Sequence, residues 1–310
     1  MDDFAASSSD SLQSELASYL SFKRADLISD LQRRLEALAF SDDLLAAYSS
    51  GMAQRLRYAY APRFVLSCTD ELLAEVGRRA AARGLGIHTH ASENRGEIAA
   101  VAARFGKRNL EALADLGVLG PRTGIAHCIH LDERELELLV ATGAHVLHCP
   151  SSNLKLASGV AAIPELIDRG VAVAIGADGA PCNNNLDGFL ELRLAALVHK
   201  PRVGPRAMPA AQALALATRG GAAALGLGDQ LGALAIGRRG DVIAVDVSGP
   251  HLAPVTNPLS ALVYAARASD VRHVAVDGRL VVRDRELLTL DVAAVTRAAT
   301  TQAHRVFARL

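Results

Sequence analysis

The stretch Gly84-Leu85-Gly86-Ile87-His88-Thr89-His90-Ala91-Ser92-Glu93 decides the fold. A short apolar run leads into two histidines at alternate positions, and a carboxylate follows three residues after His90. Read as a strand, the run sends His88 and His90 to one face, because side chains alternate along a strand. Glu93 then falls just past the strand end, in a loop or a first helical turn. A neutral imidazole can hold a divalent metal, and a nearby unligated carboxylate can move protons for a metal-bound water. Two histidines on a strand are satisfied structural residues about as often as ligands, so the stretch takes its meaning from what surrounds it.

On either side, strand and helix patterns alternate. Strands are expected at residues 55–61, 85–90, 123–127, 144–148 and 171–177. Helices are expected at 70–83, 94–105, 110–116, 132–142, 163–169, 186–199 and 209–225, several of them stopped by glycine. Asp132 is the expected N-cap of its helix and Gly143 its stop. Strands separated by helices argue for a parallel sheet, and runs apolar on both faces fit strands covered on both sides. A complete (β/α)₈ barrel needs eight such units, and five are visible.

The polar residues choose between an open doubly wound sheet and a barrel. Arg63, Phe64, His90, Glu93, His127, His148, Asn153 and Asp178 all fall at or just beyond strand C-termini. A barrel gathers its site along that rim, whereas an open sheet concentrates its ligand at one switch point. No glycine-rich phosphate fingerprint follows the first strand. The expected fold is therefore α/β, an incomplete TIM-type (β/α) barrel occupying residues 53–228. A helical segment, 1–52, precedes it, and a small β appendage with a closing helix, 229–310, follows. In the appendage, Asp277-Gly278 between two apolar runs reads as a hairpin turn.

Composition narrows the function. The chain has 310 residues, half of them hydrophobic, enough for a large core. Its formal net charge is zero, so there is no electrostatic footprint for nucleic acid. No apolar run reaches membrane-spanning length, and the start is acidic and polar, unlike a signal peptide. Cys68, Cys128, Cys149 and Cys182 are scattered, which fits a reducing cytoplasm. A small-molecule substrate is expected, and unpaired barrel edges suggest association into a homo-oligomer.

Each candidate carries a bland reading beside the chemical one. Asp178 ends a buried strand, where a carboxylate is costly unless paired, hydrogen-bonded or on a metal. A turn aspartate before Gly179 would leave the same trace, and His90 on the same rim favours the ligand. His127, in Ile125-Ala126-His127-Cys128, can donate a proton or polarise a substrate oxygen, or simply bond a neighbouring loop. His88 shares a face with His90, and its role stays open. His145 and His148 are three apart, so they face opposite sides, and His148 lies nearer the C-terminal rim. His130 is expected in a loop without special role, and His199, His251 and His273 at the surface. The polar segment 151–159 is expected to be a loop over the rim, where function concentrates.

Together the segments resemble the amidohydrolase superfamily, in its branch of purine and related aminohydrolases. The motifs are His90-x-x-Glu93, Ala126-His127-Cys128-x-His130-Leu131, Cys149-Pro150-Ser151-Ser152-Asn153-Leu154-Lys155-Leu156-Ala157-Ser158-Gly159 and Gly176-Ala177-Asp178-Gly179-Ala180-Pro181-Cys182-Asn183-Asn184. Gly-x-Leu-x-x-Gly-x-x-x-Asp at 232–241 is similar to the family's small β-sandwich, with strand-like segments expected from 231 onward. The resemblance implies that the five strands are about strands 4–8 of the barrel. It implies His90 and Asp178 as ligands of a divalent metal, zinc or else iron. Glu93 would shuttle the proton, His127 would hold the attacking water or the tetrahedral centre, and Asp178 would also act as base. Arg63, Phe64, His148 and Asn153 would contact substrate. The implied reaction is hydrolytic deamination of 5′-deoxyadenosine, methylthioadenosine or S-adenosylhomocysteine. Guanine or 8-oxoguanine is the second candidate, on the resemblance of Pro62-Arg63-Phe64 to guanine deaminases, and s-triazine hydrolysis the third.

The family also carries a first strand bearing H-x-H, with two more metal ligands, and no such strand is visible here. His90 and Asp178 alone leave a metal short of the three protein ligands a catalytic site uses. The favoured expectation is a truncated or start-shifted deaminase, inactive as this chain. A catalytically dead remnant serving as a structural or partner-binding module is the alternative, as is completion by another chain.

Overall fold

The computed structural model describes residues 56–309, with Leu38 and Asp43; the expected helical segment 1–52 lies otherwise outside the described residues. The chain divides into two compact units, Met1–Tyr58 and Ala59–Leu310.

Five strands, β1 (Ala59–Tyr60), β2 (Gly86–Ala91), β3 (Thr123–His127), β4 (His145–His148) and β5 (Ala172–Ile175), form one sheet in that order, every pairing parallel. Sequential order without a reversal is the wall of a (β/α) barrel and leaves no switch point of the doubly wound kind. Helices α1 (Asp70–Arg83), α2 (Arg95–Phe105), α3 (Asn109–Asp115), α4 (Glu133–Thr142), α5 (Pro150–Lys155) and α6 (Ile163–Asp168) fill the crossovers. Beyond β5 come α7 (Ala180–Asn183) and α8 (Gly188–Leu197).

Local chemistry sets these boundaries. Thr69, Asn94 and Asp132 accept the backbone N–H of Leu72, Glu97 and Glu135 and so cap α1, α2 and α4. Gly84, Gly106 and Gly143 close the same helices at φ of 64°, 64° and 68°, where a side chain would be strained. Segment 151–159 is not wholly a loop: Pro150 at the first helical position starts α5, since a proline there loses no hydrogen bond.

Register defines two faces. Tyr60, Ile87, Thr89, Ile125, Val146 and Val173 share the face under the helices, and all are at most 6% exposed. Ile125 and Val146 are fully covered and each contributes about 1.5–3 kcal/mol by leaving water. The other face carries His88, His90, Gly124, Ala126, His145, Leu147, Ala172 and Ala174. The Leu147 side chain lies over Gly124, so closely that a Cβ there would meet it at 2.9 Å.

The appendage is a four-stranded antiparallel sheet: β6 (Val242–Val245), β7 (Val271–Val276), β8 (Arg279–Arg283) and β9 (Glu286–Leu287). The β7–β8 turn is Asp277-Gly278, with φ of 52° and 75° as a type I′ turn requires. The strand expected at 231–240 is absent; the chain runs there as turns, and its glycines at 232 and 237 sit at φ 83° and 85°. The closing helix is Val292–Phe307.

Candidate active site

Four strand ends deliver the rim. His90 is the penultimate residue of β2, and its backbone N–H donates to the Arg63 carbonyl at 3.0 Å. Its ring Nδ1 donates to the same oxygen at 2.8 Å. A carbonyl only accepts, so Nδ1 carries the proton and Nε2 keeps its lone pair; an imidazole held in this tautomer is free to bind a metal through Nε2. Burial pushes the His90 imidazole below its ordinary value, against the Arg63 bond that raises it. Arg63 therefore acts here through its main chain. Its exposed guanidinium stands 5.5 Å from the Phe64 ring centre.

His127 reaches the rim by a backbone device. In register it pairs with Ala91, on the face opposite His90. Its φ of 74°, followed by 48° at Cys128, turns the side chain round, and its ring comes within 5.4 Å of His90's. Non-glycine residues hold that conformation only where surroundings enforce it. One enforcing contact is Asn153 Oδ1, which accepts from His127 Nδ1 at 2.8 Å. Asn153 is 1% exposed, as is His127 itself, and its Oδ1 is occupied in supporting that ring.

Glu93 faces His127, its Oε2 3.7 Å from Nε2. Its other oxygen, Oε1, accepts from Ser158 Oγ at 2.9 Å. Beneath it, Glu97 accepts the backbone N–H groups of Ser92 and Glu93 at 3.3 and 2.9 Å. Burial pushes the Glu97 carboxyl up despite those bonds. Fully buried Glu135 takes the Ser92 hydroxyl, the Leu110 N–H and the Arg108 guanidinium, at 3.2, 3.0 and 2.9 Å. These two carboxylates fix the turn that presents Glu93.

Asp178 also sits in the left-handed region, at φ 61°. Burial alone would raise its carboxyl, but the Ser152 hydroxyl and the Gly179 N–H, with His127 and His90 nearby, hold it below the usual carboxylate range. Lys155 ties the adjoining loops, donating to the Pro181 carbonyl at 2.7 Å and to Asn184 Oδ1.

His148 is not brought to the rim. Register puts it on the helix-facing side, 1% exposed, with its ring 5.3 Å from His199. Sequence position gave its height along the barrel, but the face is set by strand parity against β5. His199 is likewise a correction: it is fully buried where a surface residue was expected. His251 pairs with Asp270 at 2.9 Å, and His130 Nε2 bonds the Ser158 carbonyl at 2.9 Å, a structural role the sequence did not announce. Ser152, Ser158 and Glu97 were also missed. The serines lie inside a quoted motif, but their partners are 26 and 65 residues away. A separate cavity of about 570 Å³, lined by Arg95, Ile98, Arg108, His130 and Asp132 among others, includes none of the rim acids.

The described rim offers candidate metal donors. His90 offers a prepared Nε2 and Asp178 a held carboxylate, which suit a divalent ion. His88 lies on the same face as His90, rings 5.8 Å apart. Among the described residues, however, no three His, Cys, Asp or Glu side chains come together as a donor set. Residues 1–55 contain no histidine or cysteine. Among the described residues, His90 and Asp178 are thus two candidate donors where a catalytic zinc uses three.

Comparison with known proteins places the chain in a class. The model of the amidohydrolase family matches residues 17–281, and the chain belongs to that family. A 5-methylthioadenosine/S-adenosylhomocysteine deaminase of Syntrophobacter fumaroxidans is 46% identical over 256 residues, 82% of this chain and 58% of the relative. A 5′-deoxyadenosine deaminase of Methanosarcina mazei is 40% identical over 265 residues, 85% of this chain and 61% of the relative. Among solved structures, an adenosine deaminase of Xanthomonas campestris with bound zinc superposes with a TM-score of 0.83 at 34% identity, covering 87% of this chain and 62% of that one. The chain thus spans about three fifths of the length of the relatives it matches.

Proposed function

We propose that this chain carries the acid–base half of a metal-assisted deaminase of adenosine-type nucleosides: 5′-deoxyadenosine, 5′-methylthioadenosine or S-adenosylhomocysteine. The observation that carries the reading is the meeting of Glu93 with His127, 3.7 Å apart, on a rim that also holds His90 and Asp178. The names of the relatives support the substrate class.

In this reading Glu93 Oε2 takes a proton from the attacking water as the C–O bond forms at the amino-bearing ring carbon. It then gives that proton to the amino nitrogen as the C–N bond breaks and ammonia leaves. His127, its Nδ1 proton committed to Asn153, presents Nε2 to the tetrahedral centre. Asp178 and His90 would hold the metal, and Asp178 would assist as base. The metal, when bound, makes water acidic enough to attack at neutral pH. Zinc is preferred to iron on the bound zinc of the structural relative. Arg63 and Phe64 would flank the purine.

Several coarser expectations belong to the same proposal. Within the two compact units, the proposed functional parts are a helical segment 1–52, a partial hydrolase barrel 53–228 and a β appendage with closing helix 229–310. It works in the cytoplasm, on a small molecule and without nucleic acid; all four cysteines are free, and no helix of the described residues is long and apolar enough to cross a membrane.

The test measures zinc content and ammonia release for the chain alone and after complementation with the N-terminal segment of the S. fumaroxidans relative. Alone, we expect substoichiometric zinc and no ammonia. Complemented, we expect stoichiometric zinc and ammonia from 5′-methylthioadenosine in preference to guanine. Preference for guanine would overturn the substrate class, and stoichiometric zinc with turnover in the chain alone would overturn the half-site.

A further inference from the structure

Ser158 stands at the junction of three supports. Its N–H donates to the Asn153 carbonyl at 3.0 Å, and Asn153 is the residue that holds His127. Its carbonyl accepts His130 Nε2 at 2.9 Å. The carbonyl of His130 in turn accepts the guanidinium of Arg108, which pairs with buried Glu135. Flanking residues Ala157 and Gly159 lie at φ 54° and 127°. Gly159 packs so closely on Ile129 that a Cβ would meet it at 3.0 Å. The main chain at Ser158 is therefore fixed from both sides, and its hydroxyl has one proton to give. It gives that proton to Glu93 Oε1 at 2.9 Å.

We propose that Ser158 is the positioning residue for Glu93: by engaging Oε1, it leaves Oε2, the oxygen facing His127, to carry the proton. A carboxylate oxygen that accepts a hydrogen bond is the less basic of its pair, so the two oxygens of Glu93 are made unequal. The bond also stops the carboxylate from rotating away from the rim, and misplacement of a proton carrier by about 1 Å can cost about 10²-fold in rate. The proton-carrying part of this inference rests on the deaminase reading; the contact itself does not.

Two measurements test it. On the chain as it stands, a double-mutant cycle of Ser158→Ala and Glu93→Ala is read from the urea-unfolding equilibrium constant. A coupling of about tenfold or more is expected for a hydrogen bond to a charged group, and additivity within about twofold overturns the proposal. In the complemented protein, Ser158→Ala should lower kcat roughly 10–100-fold with KM changed less than about twofold, and Ser158→Thr should restore most of it. An unchanged kcat, a parallel loss in KM, or no rescue by threonine overturns the positioning role. If the complemented wild type releases no ammonia while the cycle still shows coupling, the deaminase reading fails and the proton-carrying role falls with it. The contact between Ser158 and Glu93 then stands.

Discussion

The His127 ring lies 5.4 Å from the His90 ring, although strand register places the two residues on opposite faces of the sheet. The left-handed turn at His127 and the Asn153 acceptor resolve the conflict. Two consequences follow for the site. The imidazole is committed to one tautomer, and its orientation depends on a residue in α5.

Asn153→Ala should therefore release the ring. We expect a loss of about 1–2 kcal/mol in stability, the usual cost of removing one partner of a buried bond. In long-range ¹H–¹⁵N spectra, wild-type His127 should show protonated Nδ1, and the variant a mixture of tautomers. An unchanged tautomer would mean that Asn153 does not set it.

Stability should fall in mild acid because of His148 and His199. Burial pushes these imidazoles down to about 3 and about 4, from an ordinary value of 6.5, with His199 and His127 adding to the effect on His148, and Arg202 to that on His199. All four ring nitrogens lack a protein partner. The folded state keeps both rings neutral where the unfolded chain would protonate. Their contribution is thus full above pH 6.5, declines as pH falls below it, and levels off near pH 3. At pH 5 the loss should be ~2 kcal/mol per imidazole. Calorimetric Tm values from pH 7.5 to 5 should drop more steeply for wild type than for His148→Leu; equal slopes would contradict the assignment.

Two neighbouring glycines give a steric contrast. A Cβ at Gly220 would meet the Val173 carbonyl oxygen at 2.5 Å, where the chain passes over β5. At Gly221 there is nothing within 4 Å, and its φ of −58° is helical. Gly220→Ala should cost roughly 1–3 kcal/mol, whereas Gly221→Ala should be neutral or stabilising by about 0.5–1 kcal/mol. Urea denaturation of both variants checks the sign at each position.

The barrel wall was legible because its signals are local. Each strand is a short apolar run, and Gly84, Gly106 and Gly143 punctuate the helices. The hairpin was legible from Asp277-Gly278 alone. The rim residues His90, Glu93, His127 and Asp178 were legible because parallel strands deliver their C-terminal ends to one side. What failed depended on parity and distance. His148 was misplaced because height along a strand does not give its face. Segment 151–159 reads as a loop because its serines and asparagine obscure the helix that Pro150 begins and that runs to Lys155. Ser158 was silent because its partner, Glu93, lies 65 residues away in sequence.

Whether Glu93 carries the proton is decided by ammonia release from 5′-methylthioadenosine, with zinc content, for the complemented protein and its Glu93→Gln variant. We predict equal zinc in both and a turnover reduced by about 10²–10⁴-fold in the variant. A Glu93→Gln protein that turns over at the wild-type rate, or that loses its zinc, would contradict the claim.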